Sequence, residues 1–135
     1  MNKIEHIGVA VKDIQKSNDL YSKLFGKQPY KQEEVKSENV ITSFFMMGDS
    51  KIELLQATSP DSAIAKFIEK RGEGIHHIAY DVTDIYAEME RLKAEGFEFI
   101  NDKPKDGADN KLIAFLHPKS TNGMLVELCQ EKRKD

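Results

Sequence analysis

Tryptophan is absent from this 135-residue chain, and cysteine occurs once, at Cys129. One cysteine excludes an intrachain disulfide framework and a cysteine-rich zinc site. No apolar run approaches the roughly 20 residues that a membrane helix needs. The N-terminal MNKIEHIGVAV lacks the cationic segment, apolar core and cleavage site of a secretory signal. A dominant charge is lacking too: 20 Lys+Arg against 23 Asp+Glu leave a net −3, with no overall basic footprint for nucleic acid. Also missing are GxGxxG, a P-loop lysine motif and a GxSxG elbow. What remains is an ordinary globular composition, 39% hydrophobic and 32% charged. It is read as one soluble, cytoplasmic domain with no nucleic-acid or membrane partner, long enough to build a core.

What is there is a repeat. Residues 6–14 read HIGVAVKDI and residues 77–85 read HIAYDVTDI, so His6, Ile7, Val11, Asp13 and Ile14 recur as His77, Ile78, Val82, Asp84 and Ile85. A second pair of blocks follows in the same order, IELLQ at 52–56 and VELCQ at 126–130. Two blocks repeated in order at nearly one offset point to a duplicated module.

Each copy opens with a strand, at 3–11 and 75–82, followed by a helix, at 14–25 and 85–95. Asp13 is a candidate N-cap. Ile14, Tyr21, Leu24 and Phe25 are expected on one apolar helix face. Strands are expected at 40–47 and 51–56 around a Gly48-Asp49 turn, and at 97–101, 111–117 and 124–129. Asp106-Gly107 and Asn122-Gly123 mark turns. Ser59-Pro60 is expected to start a short helix that ends before Gly72, with Ile64, Phe67 and Ile68 as its stripe. The resulting plan is a single domain, 1–135, of two modules, about 1–56 and 74–131, joined by a helical linker, 57–73. The terminal EKRKD is read as a solvated end.

Alternation along the strands sorts the polar residues. His6 shares a face with Gly8 and Ala10, and His77 with Ala79 and Asp81, whereas His76 falls on the other face. Glu53 lies beside Lys51 and Leu55, and Glu127 beside Leu125 and Cys129. A carboxylate in an apolar strand is costly without a partner. A pseudo-twofold duplication brings equivalent positions toward a shared axis. His6, Glu53, His77 and Glu127 are therefore read as one divalent-metal site, with imidazole and carboxylate as donors. Gln56 falls on the face opposite Glu53 and ranks below it. Cys129 is read as a small buried thiol. Phe44, Phe45, Met46 and Met47 are read as core, and Lys105, Lys111 and Lys119 as surface lysines, with an approach to an acidic ligand as the alternative.

EHIGVAVKDI, KIELLQATSPDSAIAKFI, GIHHIAYDV and KLIAFLHPKSTNGMLVEL together resemble the vicinal oxygen chelate superfamily, and within it the methylmalonyl-CoA epimerase branch, over about residues 1–130. The resemblance implies an α+β fold of tandem βαβββ modules forming a cupped mixed sheet around a metal site. Its ligand positions fall on His6, Glu53, His77 and Glu127. It implies cobalt, manganese, nickel or zinc as the ion, an acyl-CoA substrate, a homodimer, and a role in propionate metabolism. The two epimers would interconvert through an enolate. Glu127 is the first candidate for proton transfer. A glutamate proposed as the opposite base in the family falls on Thr42 here, which cannot act as one, so Glu53 takes that place. The alternatives are a glyoxalase I-type enzyme acting on a glutathione hemithioacetal and a metal-free small-molecule-binding protein of the same fold.

Overall fold

The computed structural model describes residues 1–132; the last three residues of EKRKD lie outside the described residues. The chain forms two compact units, His6–His76 and Met1–Glu5 with the chain from His77 onward. Strand β1 (Lys3–Ala10), helix α1 (Ile14–Phe25), and strands β2 (Lys31–Val35), β3 (Val40–Met47) and β4 (Ser50–Ala57) are followed by helix α2 (Ala63–Arg71). Then come β5 (Gly74–Asp81), α3 (Ile85–Ala94), β6 (Lys105–Gly107), β7 (Lys111–Leu116) and β8 (Val126–Glu131). The expected α+β plan of two βαβββ modules is what the chain forms.

The two modules are wired alike. The strand order is β2-β3-β4-β1 in the first and β6-β7-β8-β5 in the second. In each, the opening strand runs parallel to the closing one, with Gly8 opposite Glu53 and Ala79 opposite Glu127. The other pairings are antiparallel.

The helices cover one face of each sheet. In the first module Ile14, Tyr21 and Phe25 pack on Val9, Val11, Phe45, Ile52 and Leu54. In the second Ile85, Met89 and Leu92 pack on Val82, Ala114, Leu116, Val126 and Leu128. Burying one aliphatic side chain is worth about 1.5–3 kcal/mol, so each helix is fixed by its apolar stripe more than by propensity.

The repeated Asp and Gln finish these helices. Asp13 accepts from the Gln15 and Lys16 N–H groups, and Asp84 from that of Ala87. The Gln56 side-chain oxygen accepts the Ile14 N–H at 2.7 Å, and that of Gln130 accepts the Ile85 N–H at 2.8 Å. The glutamine that ends each repeat block thus closes the module by satisfying an N–H that the helix leaves open.

Several expectations are corrected. Helix α2 starts at Ala63 rather than at Ser59-Pro60. The Ser59 hydroxyl accepts the Asp61 N–H, which makes a local turn, and the buried Ser62 hydroxyl accepts the Ile64 N–H as the true cap. Strand β2 has no counterpart in the sequence reading, because KQEEV shows no apolar alternation. It pairs on the edge of its module, where charged side chains are suited to water. Residues 97–101 make only an isolated bridge, Phe99 to Leu116. The Asn101 side chain there occupies the Phe115 N–H at 2.8 Å.

Gly107 ends strand β6 instead of turning the chain. The turn falls on the next residues, where Asp109 and Asn110 take φ values of 58° and 57°. Gly107 is needed for a close approach, since a Cβ there would lie 2.8 Å from the Ile113 side chain. Leu24 is 68% exposed and leaves the α1 core stripe, and Met46 and Met47 are exposed while Phe44 and Phe45 are buried. Lys111 is no surface residue: it is buried to 7% exposure.

Candidate functional site

The four residues singled out by the repeat make two matched pairs, one in each module. In the first, His6 Nε2 lies 3.2 Å from Glu53 Oε1. In the second, His77 Nε2 lies 3.0 Å from Glu127 Oε1. None of the four is more than 5% exposed.

Strand register explains why the pairs form. Glu53 has Gly8 opposite it on β1 and Phe44 opposite it on β3. Glu127 has Ala79 opposite it on β5 and Phe115 opposite it on β7. Each carboxylate therefore stands between a residue with little or no side chain and an aromatic wall. The small residue leaves the room that the histidine, two positions earlier on the same face, uses to reach across. The wall touches the site directly in the second module, where the Phe115 ring meets the His77 ring edge-to-face at 6.0 Å.

The donor geometry fits a metal ion. Ligands about 2.1 Å from an ion are separated by about 3.0 Å at an octahedral edge and about 3.4 Å at a tetrahedral one. The His–Glu separations fall at or within that range. Each pair offers one imidazole nitrogen and one carboxylate oxygen, the mixed set that suits cobalt, manganese, nickel or zinc.

Neighbouring residues sort into supports and bystanders. The Cys129 thiol is fully buried and lies 3.4 Å from Glu127 Oε2, where it donates to the carboxylate. His76 packs edge-to-face on Phe67 of α2 at 5.0 Å. Gln56 and Gln130 are helix-capping groups on the far face. Thr42 is fully buried, and its hydroxyl donates to the Glu33 carbonyl at 3.3 Å. It offers no carboxylate to the Glu53 face. The burial of Lys111 is what sequence reasoning missed. Its alternation with Ile113 and Phe115 was the available signal, since those residues share its face of β7.

Paired βαβββ modules, each holding a buried His–Glu pair, define a class. The chain belongs to the glyoxalase/bleomycin resistance protein/dioxygenase superfamily, whose family model matches residues 5–115. Within it the chain is an epimerase-type enzyme, an isomerase. It is 41% identical to the mitochondrial methylmalonyl-CoA epimerase of Dictyostelium discoideum, over 95% of this chain and 78% of that one. A hypothetical protein from Bacillus halodurans has the same fold at a TM-score of 0.95 and 43% identity, covering 99% of this chain and 97% of that one. A methylmalonyl-CoA epimerase from Streptomyces coelicolor, solved with 2-nitronate-propionyl-CoA, matches at a TM-score of 0.94 and 31% identity, over 98% of this chain and 99% of that one. Among the described residues no helix is long and apolar enough to cross a membrane.

Proposed function

We propose that this chain is a divalent-metal-dependent methylmalonyl-CoA epimerase in which His6, Glu53, His77 and Glu127 together ligate one ion. The observation that carries the reading is the buried His–Glu pair repeated in each module, in a chain similar to such epimerases over nearly its whole length. Cobalt, manganese, nickel and zinc all suit this donor set. When bound, the ion stabilises negative charge developing on the substrate's thioester oxygen.

The remaining work belongs to side chains. The α-hydrogen of methylmalonyl-CoA lies between a thioester and a carboxylate and is acidic for a C–H bond. Glu127 takes it from one face, and the C–H electron pair moves toward the thioester oxygen to give an enolate. Glu53 returns a proton to the other face, which inverts the carbon; the reverse reaction exchanges the two roles. The Cys129 thiol beside Glu127 Oε2 fixes the orientation of that carboxylate. Gly8 and Ala79 leave the His6 and His77 rings the room to reach the carboxylates. Thr42 carries no proton in this scheme. The reading treats modules 1–56 and 74–131, with the segment 57–73, as one catalytic domain, active as a cytoplasmic homodimer in propionate metabolism.

The test is solvent exchange. Metal-loaded protein incubated with one epimer of methylmalonyl-CoA in D₂O is expected to give α-deuteration together with inversion. The His6→Ala/His77→Ala variant is expected to give neither. Absence of exchange with cobalt, manganese, nickel and zinc alike would overturn the reading and turn attention to glutathione hemithioacetals or to ligand sequestration.

A further inference from the structure

The Glu127 carboxylate is engaged on two sides. Its Oε1 lies 3.0 Å from His77 Nε2, and its Oε2 accepts from the buried Cys129 thiol at 3.4 Å. Phe115 stands directly opposite on β7 and is half-buried, as is Leu125, two residues earlier in the chain. Phe115 is the nearer of the two. Its N–H goes to Asn101 Oδ1 at 2.8 Å, and its carbonyl accepts the Ile100 N–H at 2.8 Å. Both backbone groups therefore point away from β8, which makes Phe115 and Glu127 a non-hydrogen-bonded pair. Such pairs bring the two Cα atoms to about 4.5 Å, closer than the roughly 6.8 Å between alternate residues of one strand.

The same contacts hold the ring still. Asn101 and Ile100 fix the Phe115 backbone, and the His77 ring meets its side chain edge-to-face at 6.0 Å. A wall that cannot yield is what size discrimination requires. In the first module the matched residue is closed off. Phe44, opposite Glu53, is 2% exposed with the Tyr30 ring against it at 5.9 Å. The chemistry then sorts the substituents of the reacting carbon. For Glu127 to take the α-hydrogen, that carbon must come within about 3.5 Å of the carboxylate. The carbon also bears a thioester, a carboxylate and an alkyl group. The first two are polar or charged and gain nothing from an aromatic face, whereas the alkyl group does.

We infer that Phe115 is a specificity-determining residue whose ring receives the α-alkyl group of the substrate and limits it to about the size of a methyl. The inference rests on the acyl-CoA epimerase reading above and deepens it by assigning the choice between methylmalonyl and longer alkylmalonyl thioesters.

The experiment is a competition. Metal-loaded protein is given methylmalonyl-CoA and ethylmalonyl-CoA together in D₂O, and mass spectrometry follows deuterium entering each above a protein-free control. The ratio of the two rates is the ratio of their kcat/KM values, so a general loss of activity cancels. One methylene in an apolar pocket is worth about 10-fold to 200-fold in kcat/KM. The parent is therefore expected to favour methylmalonyl-CoA by about 10-fold or more. Phe115→Leu shortens the wall and is expected to lower that preference by about 10-fold, whereas Phe115→Trp extends it and is expected to raise it. Should either variant fail to fold, the other decides alone. A ratio unchanged in a folded variant would place the thioester arm, rather than the alkyl group, on Phe115 and overturn the inference. A parent without preference would overturn it too. So would a Phe115→Leu variant that loses its metal by elemental analysis, which would make the ring a support for His77 instead. A parent that exchanges neither thioester would defeat the epimerase reading itself, and the inference with it.

Discussion

Replacing Gln56 or Gln130 by alanine separates holding the fold from holding a ligand. Each glutamine oxygen accepts one helix-terminal N–H, at 2.7 Å from Ile14 and 2.8 Å from Ile85. Ile14 is 3% exposed and Ile85 is fully buried, so water has little access to the N–H groups once the partner is gone. A buried donor left open costs about 1–3 kcal/mol, and a lost helix cap about 0.5–2 kcal/mol. The two figures describe the same loss, so the expected cost is about 1–2 kcal/mol for each variant. For a domain of this size that lowers Tm by about 4–8 °C. In urea the midpoint should fall with the slope unchanged, because the same surface is exposed on unfolding. Metal affinity should stay at the parent value, since both glutamines lie on the helix side of their strands. A glutamine variant that loses metal at an unchanged urea midpoint would refute the assignment and return Gln56 to the list of ligands.

Other expectations follow from single contacts. Gly107→Ala should destabilise by about 1–3 kcal/mol, because its Cβ would fall 2.8 Å from Ile113, and trimming Ile113 to alanine in the same chain should recover part of that loss. Glu127→Gln should lower deuterium exchange by about 10²–10⁴-fold, the usual worth of a positioned proton carrier. Glu53→Gln keeps an oxygen donor and loses the proton, so inversion should fall more than exchange in that variant; equal loss of both would remove Glu53 from proton transfer. The Lys119 ammonium, 2.6 Å away, holds the exposed Glu98 carboxyl below its ordinary titration range. The pair's small contribution is therefore present above the ordinary glutamate pKa and is lost as pH falls through the lowered one. An NMR titration should show the Glu98 midpoint rising in Lys119→Ala, and an unmoved midpoint would contradict the contact.

The two His–Glu pairs were more legible in the sequence than the edges of the fold. His6, His77, Glu53 and Glu127 were visible because a repeat supplies each residue with a control at its partner position. Face alternation then separated them from His76 and Gln56. Asp13 and Asp84 were readable for the same reason. Strand β2 was not, because KQEEV sits on an edge where pairing needs no apolar pattern. Asp106-Gly107 resembles a turn, yet a contact with Ile113, visible only in three dimensions, decides the glycine. Leu24 has the right helical spacing but stays in water, as exposed apolar residues often do. Lys111 was sorted by residue type, and lysine is so seldom buried that its strand face went unused.

The claim that matters most is that the two His–Glu pairs serve one ion. Cobalt titration of metal-free protein, read by calorimetry and by the visible spectrum, tests it directly. The account predicts one tight ion per chain, with His6→Ala and His77→Ala each abolishing that site although their pairs stand in different modules. Two ions per chain, each lost with only its own histidine, would contradict it, and so would cobalt binding that survives either substitution.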